Sequence, residues 1–280
     1  MYKILEKSIL NKNTNKLKIL APRIASHCLP GQFIILKVNE KAERVPFTIA
    51  DFDREKGTVT IIFQVIGHST KLMETLNIND DIMDFCGPLG VPSHLEKRDT
   101  VIIGGGLGCA IAYPQAKALF SMGANVDIIA GFRTKELVIL EREMKKSSNN
   151  LYVVTDDGSY GEKGFVTNKL EQLLTGGKKY SQALVIGPLI MMKFVCLLTK
   201  KYNLKTIVSM NSIMVDGTGM CGCCRVQVDG KTKFACVDGP DFDGHLVDFD
   251  EAITRSKTYL AEEKESYDKD CNLFKHRETI

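Results

Sequence analysis

The sequence lacks a long apolar run, and this argues against a membrane-spanning helix. Its longest apolar stretch, VIIGGGLGCAIAY at 101–113, is interrupted by glycines and is shorter than the roughly 20 residues that cross a bilayer. The opening segment, MYKILEKSILNKNTNKLKIL, alternates charged with apolar residues and has no continuous apolar core of the kind found in signal peptides. We therefore predict a cytoplasmic protein with no membrane partner.

A marked excess of charge of one sign is also missing. The chain has 37 Lys and Arg against 34 Asp and Glu, a formal net charge of +3. It has no basic arm and no aromatic stripe between basic residues, so we expect no nucleic-acid partner. With 280 residues, 44 % of them apolar and 25 % charged, the chain resembles a soluble globular protein with room for two or three domains.

The nine cysteines do not form the pattern of a secreted disulfide framework. Four are bunched between residues 221 and 236, and five are scattered singly. We predict that the scattered ones are small buried apolar residues. They are Cys28, Cys86, Cys109, Cys196 and Cys271.

Residues 1–97 are predicted to form a small antiparallel β barrel. Segments such as GQFIILKV, RVPFTIADF and TVTIIFQVIG are rich in β-branched and aromatic residues, and turn-forming residues separate them. Several short strands at this spacing are typical of a barrel.

Residues 98–209 alternate strands with helices, which predicts a parallel, doubly wound α/β sheet. Strand segments are DTVIIGG, NVDIIAGF, LYVVTDD and ALVIGP, and helical segments include CAIAYPQAKALFSMG and KELVILEREMKK. After KTIVSM the alternation stops. We predict a small cysteine-containing domain over 210–250 and a charged C-terminal helix and tail over 251–280 that contributes to a partner interface.

The segment VDGTGMCGCCRVQVDGKTKFAC, residues 215–236, has the spacing D-x4-C-x2-C-x11-C. This is the spacing of a plant-type [2Fe–2S] loop with aspartate in the first ligand position. Its glycines supply the positive φ angles that a tight loop needs, and they leave N–H groups free to face sulfide. The predicted ligands are Asp216, Cys221, Cys224 and Cys236, and Cys223 should face away from the iron.

Two other interpretations of this segment stay open. A zinc knuckle would use Cys221, Cys223 or Cys224, and Cys236, but neither a second C-x2-C pair nor a nearby histidine completes a familiar spacing. The cysteines could also be inert thiols.

Glycines in VIIGGGLGCA follow a predicted strand and precede a predicted helix, a context in which N–H groups and the helix dipole bind a pyrophosphate. A tight strand–helix turn without ligand is the alternative. In TDDGSYGEKG, acidic side chains suit a ribose 2′-hydroxyl and repel a 2′-phosphate, which favours NAD(H), unless they only form an Asx turn. The predicted nucleotide residues are Gly104, Gly105, Gly106, Gly108, Asp156, Asp157, Gly187 and Pro188.

The barrel contains three segments suited to a flavin, although each is also compatible with ordinary strand and turn chemistry. RVPFTIAD combines a cation, a ring that can stack on a flavin, and a hydroxyl for its reactive nitrogen. VIGHST offers a glycine and hydroxyls for phosphate, and CGPLG closes the barrel. The predicted flavin residues are Arg44, Pro46, Phe47, Thr48, Gly67, Ser69, Thr70 and Gly87.

Together these motifs resemble the ferredoxin–NADP reductase superfamily over nearly the whole chain, to about residue 260. More narrowly, the chain resembles electron-transfer subunits of the dihydroorotate dehydrogenase type. That branch has a cysteine where this chain has Asp216, whereas the small subunit of NADH-dependent reduced ferredoxin:NADP oxidoreductase has aspartate there. The long stretch KFACVDGPDFDGHLVDFDE is also similar to that second branch.

Two departures from the superfamily pattern affect individual residues. Arg44 lies four residues before Thr48 rather than three, so its phosphate contact is less well defined than the role of Thr48. Ile186 replaces the cysteine of the superfamily's C-G-P, so no thiol is expected beside the nicotinamide.

The resemblance implies an oxidoreductase subunit that binds FAD, NAD(H) and a [2Fe–2S] cluster. NADH would give a hydride to FAD, and single electrons would pass through the cluster to a larger NADP(H)-binding iron–sulfur flavoprotein and, through the complex, to ferredoxin. No side-chain acid or base is needed. The alternatives are the electron-transfer subunit of an NAD-dependent dihydroorotate dehydrogenase or of a sulfide dehydrogenase, and a non-enzymatic zinc or redox-sensing module.

Overall fold

The computed structural model describes residues 1–275, with side chains up to residue 267. The first part of the chain forms seven strands and two short helices. The strands are β1 (Tyr2–Asn11), β2 (Thr14–Leu20), β3 (Phe33–Lys37), β4 (Val45–Asp53), β5 (Thr58–Gln64), β6 (Asp81–Ile82) and β7 (Asp84–Leu89). The helices are α1 (Pro22–Ala25) and α2 (His68–Glu74).

These strands form one antiparallel sheet in the order β6-β1-β2-β5-β4-β3-β7. Its two edge strands, β6 and β7, are separated in sequence by Met83 alone, whose N–H donates to the Val38 carbonyl at 3.2 Å. The sheet therefore curls almost into a closed barrel. Large buried side chains such as Leu17, Ile61 and Phe63 fill it, and the predicted barrel is confirmed.

The second part of the chain alternates strands and helices. The strands are β8 (Thr100–Gly105), β9 (Val126–Phe132), β10 (Asn150–Thr155), β11 (Glu162–Lys163), β12 (Gln182–Ile186) and β13 (Thr206–Ser209). The helices are α3 (Gly108–Ser121), α4 (Glu141–Lys146), α5 (Val166–Thr175) and α6 (Leu189–Lys201).

These strands are parallel, in the order β11-β10-β9-β8-β12-β13. On β8, Val101 and Ile103 pack in the cluster under α5 and α6, whereas Ile102 packs in the cluster under α3 and α4. Helices therefore cover both faces, which explains why β8 is apolar at successive positions. The predicted doubly wound sheet is confirmed.

The helix predicted over KELVILEREMKK is interrupted in the structure. A short 3-10 turn, Lys135–Leu137, precedes α4, and Leu140 between them has φ +54°. A left-handed residue cannot continue a right-handed helix, so the apolar periodicity of this segment predicted too long a helix.

The C-terminal part of the chain folds onto the parallel sheet. Its elements are β14 (Arg225–Val228), β15 (Lys231–Phe234), β16 (Asp241–Asp243), α7 (Phe249–Arg255) and α8 (Leu260–Lys275). The first two strands form a hairpin, and β16 pairs antiparallel with β13 at the edge of the sheet. The cysteine segment is thus joined to the parallel sheet through one strand, and the predicted domain bounds stay predictions.

Polar contacts connect the parts. Ser93, which follows the barrel in sequence, donates its hydroxyl to Asp241 Oδ2 of β16 at 2.5 Å. Lys117 of α3 forms an ion pair with Asp51 of β4 at 2.8 Å. The charged helix predicted from residue 251 onward is two helices, and Ala252 of α7 is buried in the core. α7 is therefore packed on the fold, whereas the described side chains of α8 are mostly exposed, and the partner interface expected of this segment stays a prediction.

The cysteines outside the cluster segment differ in burial. Cys28, Cys109 and Cys196 are buried as predicted, whereas Cys86 on β7 is exposed. Cys271 lies outside the residues whose side chains are described. Among residues 1–275, no helix has the length and apolarity that a bilayer crossing requires.

Candidate cofactor-binding and iron–sulfur sites

The turn between β8 and α3 lies where the strand order of the parallel sheet reverses, since β9 flanks β8 on one side and β12 on the other. Open α/β sheets bind ligands in the crevice at such a point, beyond the carboxyl ends of the strands. Gly106 in this turn has φ +55°, and a Cβ atom there would meet no atom within 4 Å. The turn therefore leaves open space beside the first turn of α3.

The glycines around it are required because two turns touch. A Cβ atom on Gly108 would lie 2.2 Å from the Ile186 carbonyl oxygen, and one on Gly187 would lie 3.1 Å from Gly105 Cα. The turn after β12 is thus pressed against the turn after β8. The structure brings together six predicted nucleotide residues: Gly104, Gly105, Gly106, Gly108, Gly187 and Pro188.

The acidic loop after β10 runs along the end of β9, where the N–H groups of Asp156 and Asp157 donate to the carbonyls of Phe132 (3.0 Å) and Arg133 (3.3 Å). Ser159 donates its hydroxyl (2.7 Å) and its N–H (2.9 Å) to the Asp157 carboxylate, and these bonds lower the pKa of Asp157. Both side chains are exposed, but the Asp157 carboxylate is engaged in this Asx turn. Asp156 is thus the carboxylate more available to a ribose.

Arg133 is a residue that the sequence analysis missed. It directly follows β9, is exposed, and lies beside the acidic loop through its carbonyl contact with Asp157. An arginine near the ribose position of such a sheet can accommodate a 2′-phosphate. The signal was present in GFRTKE, where a cation follows a predicted strand.

In the barrel, β4 places its predicted residues on two faces. Phe47 packs partly against the barrel core, with its ring centroid 5.9 Å from that of Phe63. Phe47 and Ile49 both pack in the barrel core, so the Thr48 side chain between them lies on the other face of β4. Ala50, two residues on, packs in the apolar cluster around α3. Thr48 therefore lies on the barrel face that meets the nucleotide-binding sheet.

The turn before α2 is held by its own side chains. Thr70 Oγ1 accepts the N–H groups of Ile66 and Gly67, each at 3.1 Å, and Ser69 Oγ donates to Glu43 Oε2 at 2.9 Å. The last contact connects this turn to the residue before Arg44, so two predicted flavin segments are adjacent.

Arg44 itself is exposed and forms an ion pair with Asp84 at 3.5 Å. Pro46 lies on the same face of β4 as Thr48 by alternation. A Cβ atom on Gly87 would lie 2.6 Å from Ile34 Cγ2, so close strand packing alone requires glycine there.

The cysteine loop places its predicted ligands in two pairs. The sulfur atoms of Cys224 and Cys236 lie 3.2 Å apart, and both residues are buried. The Asp216 carboxylate accepts the N–H groups of Thr218 (2.6 Å) and Cys221 (2.9 Å), and the bond from Thr218 is the main reason that the pKa of Asp216 is lowered. One pair is thus buried, and the other lies nearer to solvent.

Backbone N–H groups of the loop are directed at cysteine sulfurs. The N–H of Cys236 donates to Cys224 Sγ at 3.5 Å, and backbone hydrogen bonding from Cys223 and Asp216 lowers the pKa of the Cys221 thiol. Burial raises the pKa of Cys236 to about 12, and the N–H of Gly219 acts in the opposite sense. Inward N–H groups form a concavity that suits an anionic group, so the loop fits an iron–sulfur cluster.

The backbone of the loop depends on its glycines. Gly217, Gly219 and Gly222 have φ angles of +76°, +86° and +68°, as the spacing predicts. Cys223 is half-buried, and contact with the Cys221 thiol raises its pKa. The assignment of Asp216 rather than Cys223 as the fourth ligand therefore stays a prediction. Within the described residues, no group of three His, Cys, Asp or Glu side chains is arranged as a metal-ion site.

Comparisons with known proteins agree with this architecture. The sequence pattern of an oxidoreductase NAD-binding domain matches residues 102–197, and that of the iron–sulfur cluster binding domain of dihydroorotate dehydrogenase B matches residues 211–248. An uncharacterized Clostridium beijerinckii protein is 52 % identical over 272 residues, covering 94 % of this chain and 92 % of its own.

Two further relatives carry functional descriptions. A homologue of the dihydroorotate dehydrogenase B (NAD(+)) electron transfer subunit from Thermotoga maritima is 43 % identical over 270 residues, covering 93 % of this chain and 95 % of its own. A chain from the solved structure of an NADH-dependent reduced ferredoxin–NADP oxidoreductase superposes with a TM-score of 0.91 at 39 % identity, covering 97 % of this chain and 98 % of its own.

The barrel, the sheet with a glycine turn at its switch point, and the cysteine loop define an oxidoreductase of the ferredoxin–NADP reductase fold. The chain belongs to the family of dihydroorotate dehydrogenase B electron-transfer subunits and their homologues. The predicted fold class, the predicted class of NAD(H)-dependent oxidoreductase subunit, and the expected FAD, NAD(H) and iron–sulfur cofactors are thereby confirmed. The roles of individual residues stay predictions.

Proposed function

We propose that this chain is the small electron-transfer subunit of an NADH-dependent reduced ferredoxin:NADP oxidoreductase, acting in the cytoplasm. The observation that carries this proposal is Asp216 in the first ligand position of the cysteine loop, where its carboxylate already accepts the loop N–H groups of Thr218 and Cys221. The likeness over 97 % of the chain to a solved oxidoreductase of this kind supports it.

Each cofactor has a proposed place. FAD is assigned to the face of Thr48 and the turn 65–70, NAD(H) to the crevice beyond β8 and β12, and a [2Fe–2S] cluster to the four predicted ligands of the cysteine loop. When bound, FAD would exchange two electrons as a hydride with NAD(H) and single electrons with the iron–sulfur cluster, in either direction.

The residues of this chain orient the groups and need not exchange protons with the substrate. The touching turns around Gly105 and Gly187 fix the nucleotide crevice, and the face of Thr48 lies toward the sheet that carries it. No side chain is assigned as a catalytic acid or base.

The test is to isolate the chain from its native host with whatever binds it. We expect a larger iron–sulfur flavoprotein that binds NADP(H), and a complex that reduces NAD(+) and ferredoxin together when supplied with NADPH. A colourless protein that contains zinc and no flavin would refute the proposal.

A second candidate is the electron-transfer subunit of an NAD-dependent dihydroorotate dehydrogenase or of a sulfide dehydrogenase. The 43 % identity to a dihydroorotate dehydrogenase B subunit homologue favours it. In that case the native complex would oxidise NADH with orotate or a sulfur compound as acceptor, and it would not bind NADP(H).

Asp156→Asn should weaken the preference for NADH. In the wild-type protein the exposed carboxylate would repel a 2′-phosphate, and its loss would leave Arg133 nearby to attract one. We expect the ratio of kcat/KM for NADH over NADPH to fall about tenfold, which corresponds to about 1.4 kcal/mol. The ratio is measured with an artificial acceptor.

Asp157→Asn is the matched control, since it removes the same charge one residue along the loop. Its carboxylate is bound to Ser159, so its loss should loosen the loop and weaken both nucleotides alike. If the wild-type protein had the same kcat/KM for NADPH as for NADH, the assignment of Asp156 to the ribose would be contradicted.

A further inference from the structure

Two arginines hold carbonyl groups of the cysteine loop. Arg225 Nη1 donates to the Gly222 carbonyl oxygen at 2.9 Å, and Arg255 Nη2 donates to that of Cys223 at 3.1 Å. Arg225 is the first residue of β14 and Arg255 is the last residue of α7. Residues of two different elements therefore form hydrogen bonds to successive peptide groups of the loop.

The geometry of the peptide bond extends the effect of these contacts to the N–H groups that follow. In a trans peptide group the C=O and the following N–H point in opposite directions. A Gly222 carbonyl that faces Arg225 therefore turns the N–H of Cys223 to the opposite side, away from the guanidinium. By the same geometry, the hydrogen bond from Arg255 to the Cys223 carbonyl turns the N–H of Cys224 away from the Arg255 guanidinium.

Arg255 is itself held in place by its helix. Glu251 Oε1 lies 3.6 Å from Arg255 Nε, and the Glu251 N–H donates to Asp248 Oδ1 at 3.0 Å at the beginning of α7. Phe249 and Ala252 on the same helix are buried. The position of the Arg255 guanidinium is thus set by α7, which packs on the core, and not by the loop alone.

Charge adds to this orientation. Bonds from a guanidinium to a carbonyl oxygen are charge-assisted and stronger than neutral ones. Iron–sulfur potentials depend on net charge and on hydrogen bonds to the sulfurs. Cations and inward N–H groups favour the more negative, reduced form of a cluster.

We infer that Arg225 and Arg255 are positioning residues that fix the two peptide groups flanking Cys223 in the cluster loop and, with their charge, raise the reduction potential of the cluster. This inference rests on the proposed cluster and assigns a role that the cysteine spacing does not contain.

The test compares Arg225→Met and Arg255→Met with the wild-type full-length chain in a redox titration followed by electron paramagnetic resonance. We expect wild-type iron content, an altered spectrum, and a fall of about tenfold in the ratio of reduced to oxidised cluster at a fixed potential. Arg255→Lys, which keeps a charged donor, should recover part of this loss.

Arg142→Met is the matched control, because it removes one exposed cation from α4, far along the chain from the cluster loop. It should leave the spectrum and the titration unchanged. If either methionine variant loses its iron, Glu251→Gln replaces it as the test, since this change weakens the ion pair that positions Arg255 and leaves the loop residues unchanged. It should also lower the ratio of reduced to oxidised cluster.

The inference would be overturned if the arginine variants kept their iron and showed the wild-type titration and spectrum. Where an arginine variant loses its iron, a wild-type titration of Glu251→Gln would overturn it. Absence of any iron–sulfur signal in the wild-type protein would instead refute the proposed function, so the two failures are distinguishable.

Discussion

Cys224→Ala and Cys236→Ala should each yield a protein that keeps its flavin and loses more than about 90 % of its iron, because a cluster needs all its protein ligands. The two sulfur atoms lie 3.2 Å apart in a buried position, so they act as one donor pair. Removing either leaves the other thiol buried without its partner. The measurements are iron, acid-labile sulfide and extracted flavin per chain.

Cys223→Ala is the matched control from the same loop. Its side chain contacts the Cys221 thiol but is not one of the predicted ligands, so the iron content of this variant should stay at the wild-type value. Asp216→Cys should keep the cluster and alter its paramagnetic spectrum, since thiolate is a softer ligand than carboxylate. Loss of iron in Cys223→Ala, with an unchanged spectrum in Asp216→Ala, would move the fourth ligand from Asp216 to Cys223.

Local spacing was enough to predict the cysteine loop, because its pairs form between residues close in sequence. Asp216 reaches the N–H of Cys221 only five residues away, and the intervening glycines have the expected positive φ. The contact of Arg255 with this loop could not be predicted in that way. Arg255 contacts Cys223 across 32 residues, and no spacing rule relates the end of a helix to a carbonyl in a loop.

The fold was predictable for a similar reason. Strands such as β8 and β12 are short apolar runs, and the helices between them carry their own periodicity. The break at Leu140 was not predictable, because the left-handed backbone there occurs at a leucine and not at a glycine, the residue that usually marks such a position. The burial of Ala252 was likewise hidden, since α7 packs against elements distant in sequence.

Gly106→Ala should raise the KM for NADH about tenfold or more, equivalent to at least about 1.4 kcal/mol of binding, while flavin and iron stay bound. The added methyl group would project into the open space beside the first turn of α3, where we place the pyrophosphate. Phosphate binding at such a turn requires close approach to the backbone, which a side chain prevents. NADH oxidation with a dye acceptor measures the effect without a partner subunit.

Gly230→Ala separates this effect from backbone strain. Gly230 has φ +68° in the β14–β15 turn, and a Cβ atom there also meets no atom within 4 Å, so its conformational cost matches that of Gly106 at φ +55°. Each variant should lose about 1 kcal/mol of stability on unfolding, since alanine disfavours the left-handed region. Only Gly106 borders the nucleotide crevice. A KM for NADH that rises equally in both variants, or in neither, would show that the pyrophosphate does not lie against this turn.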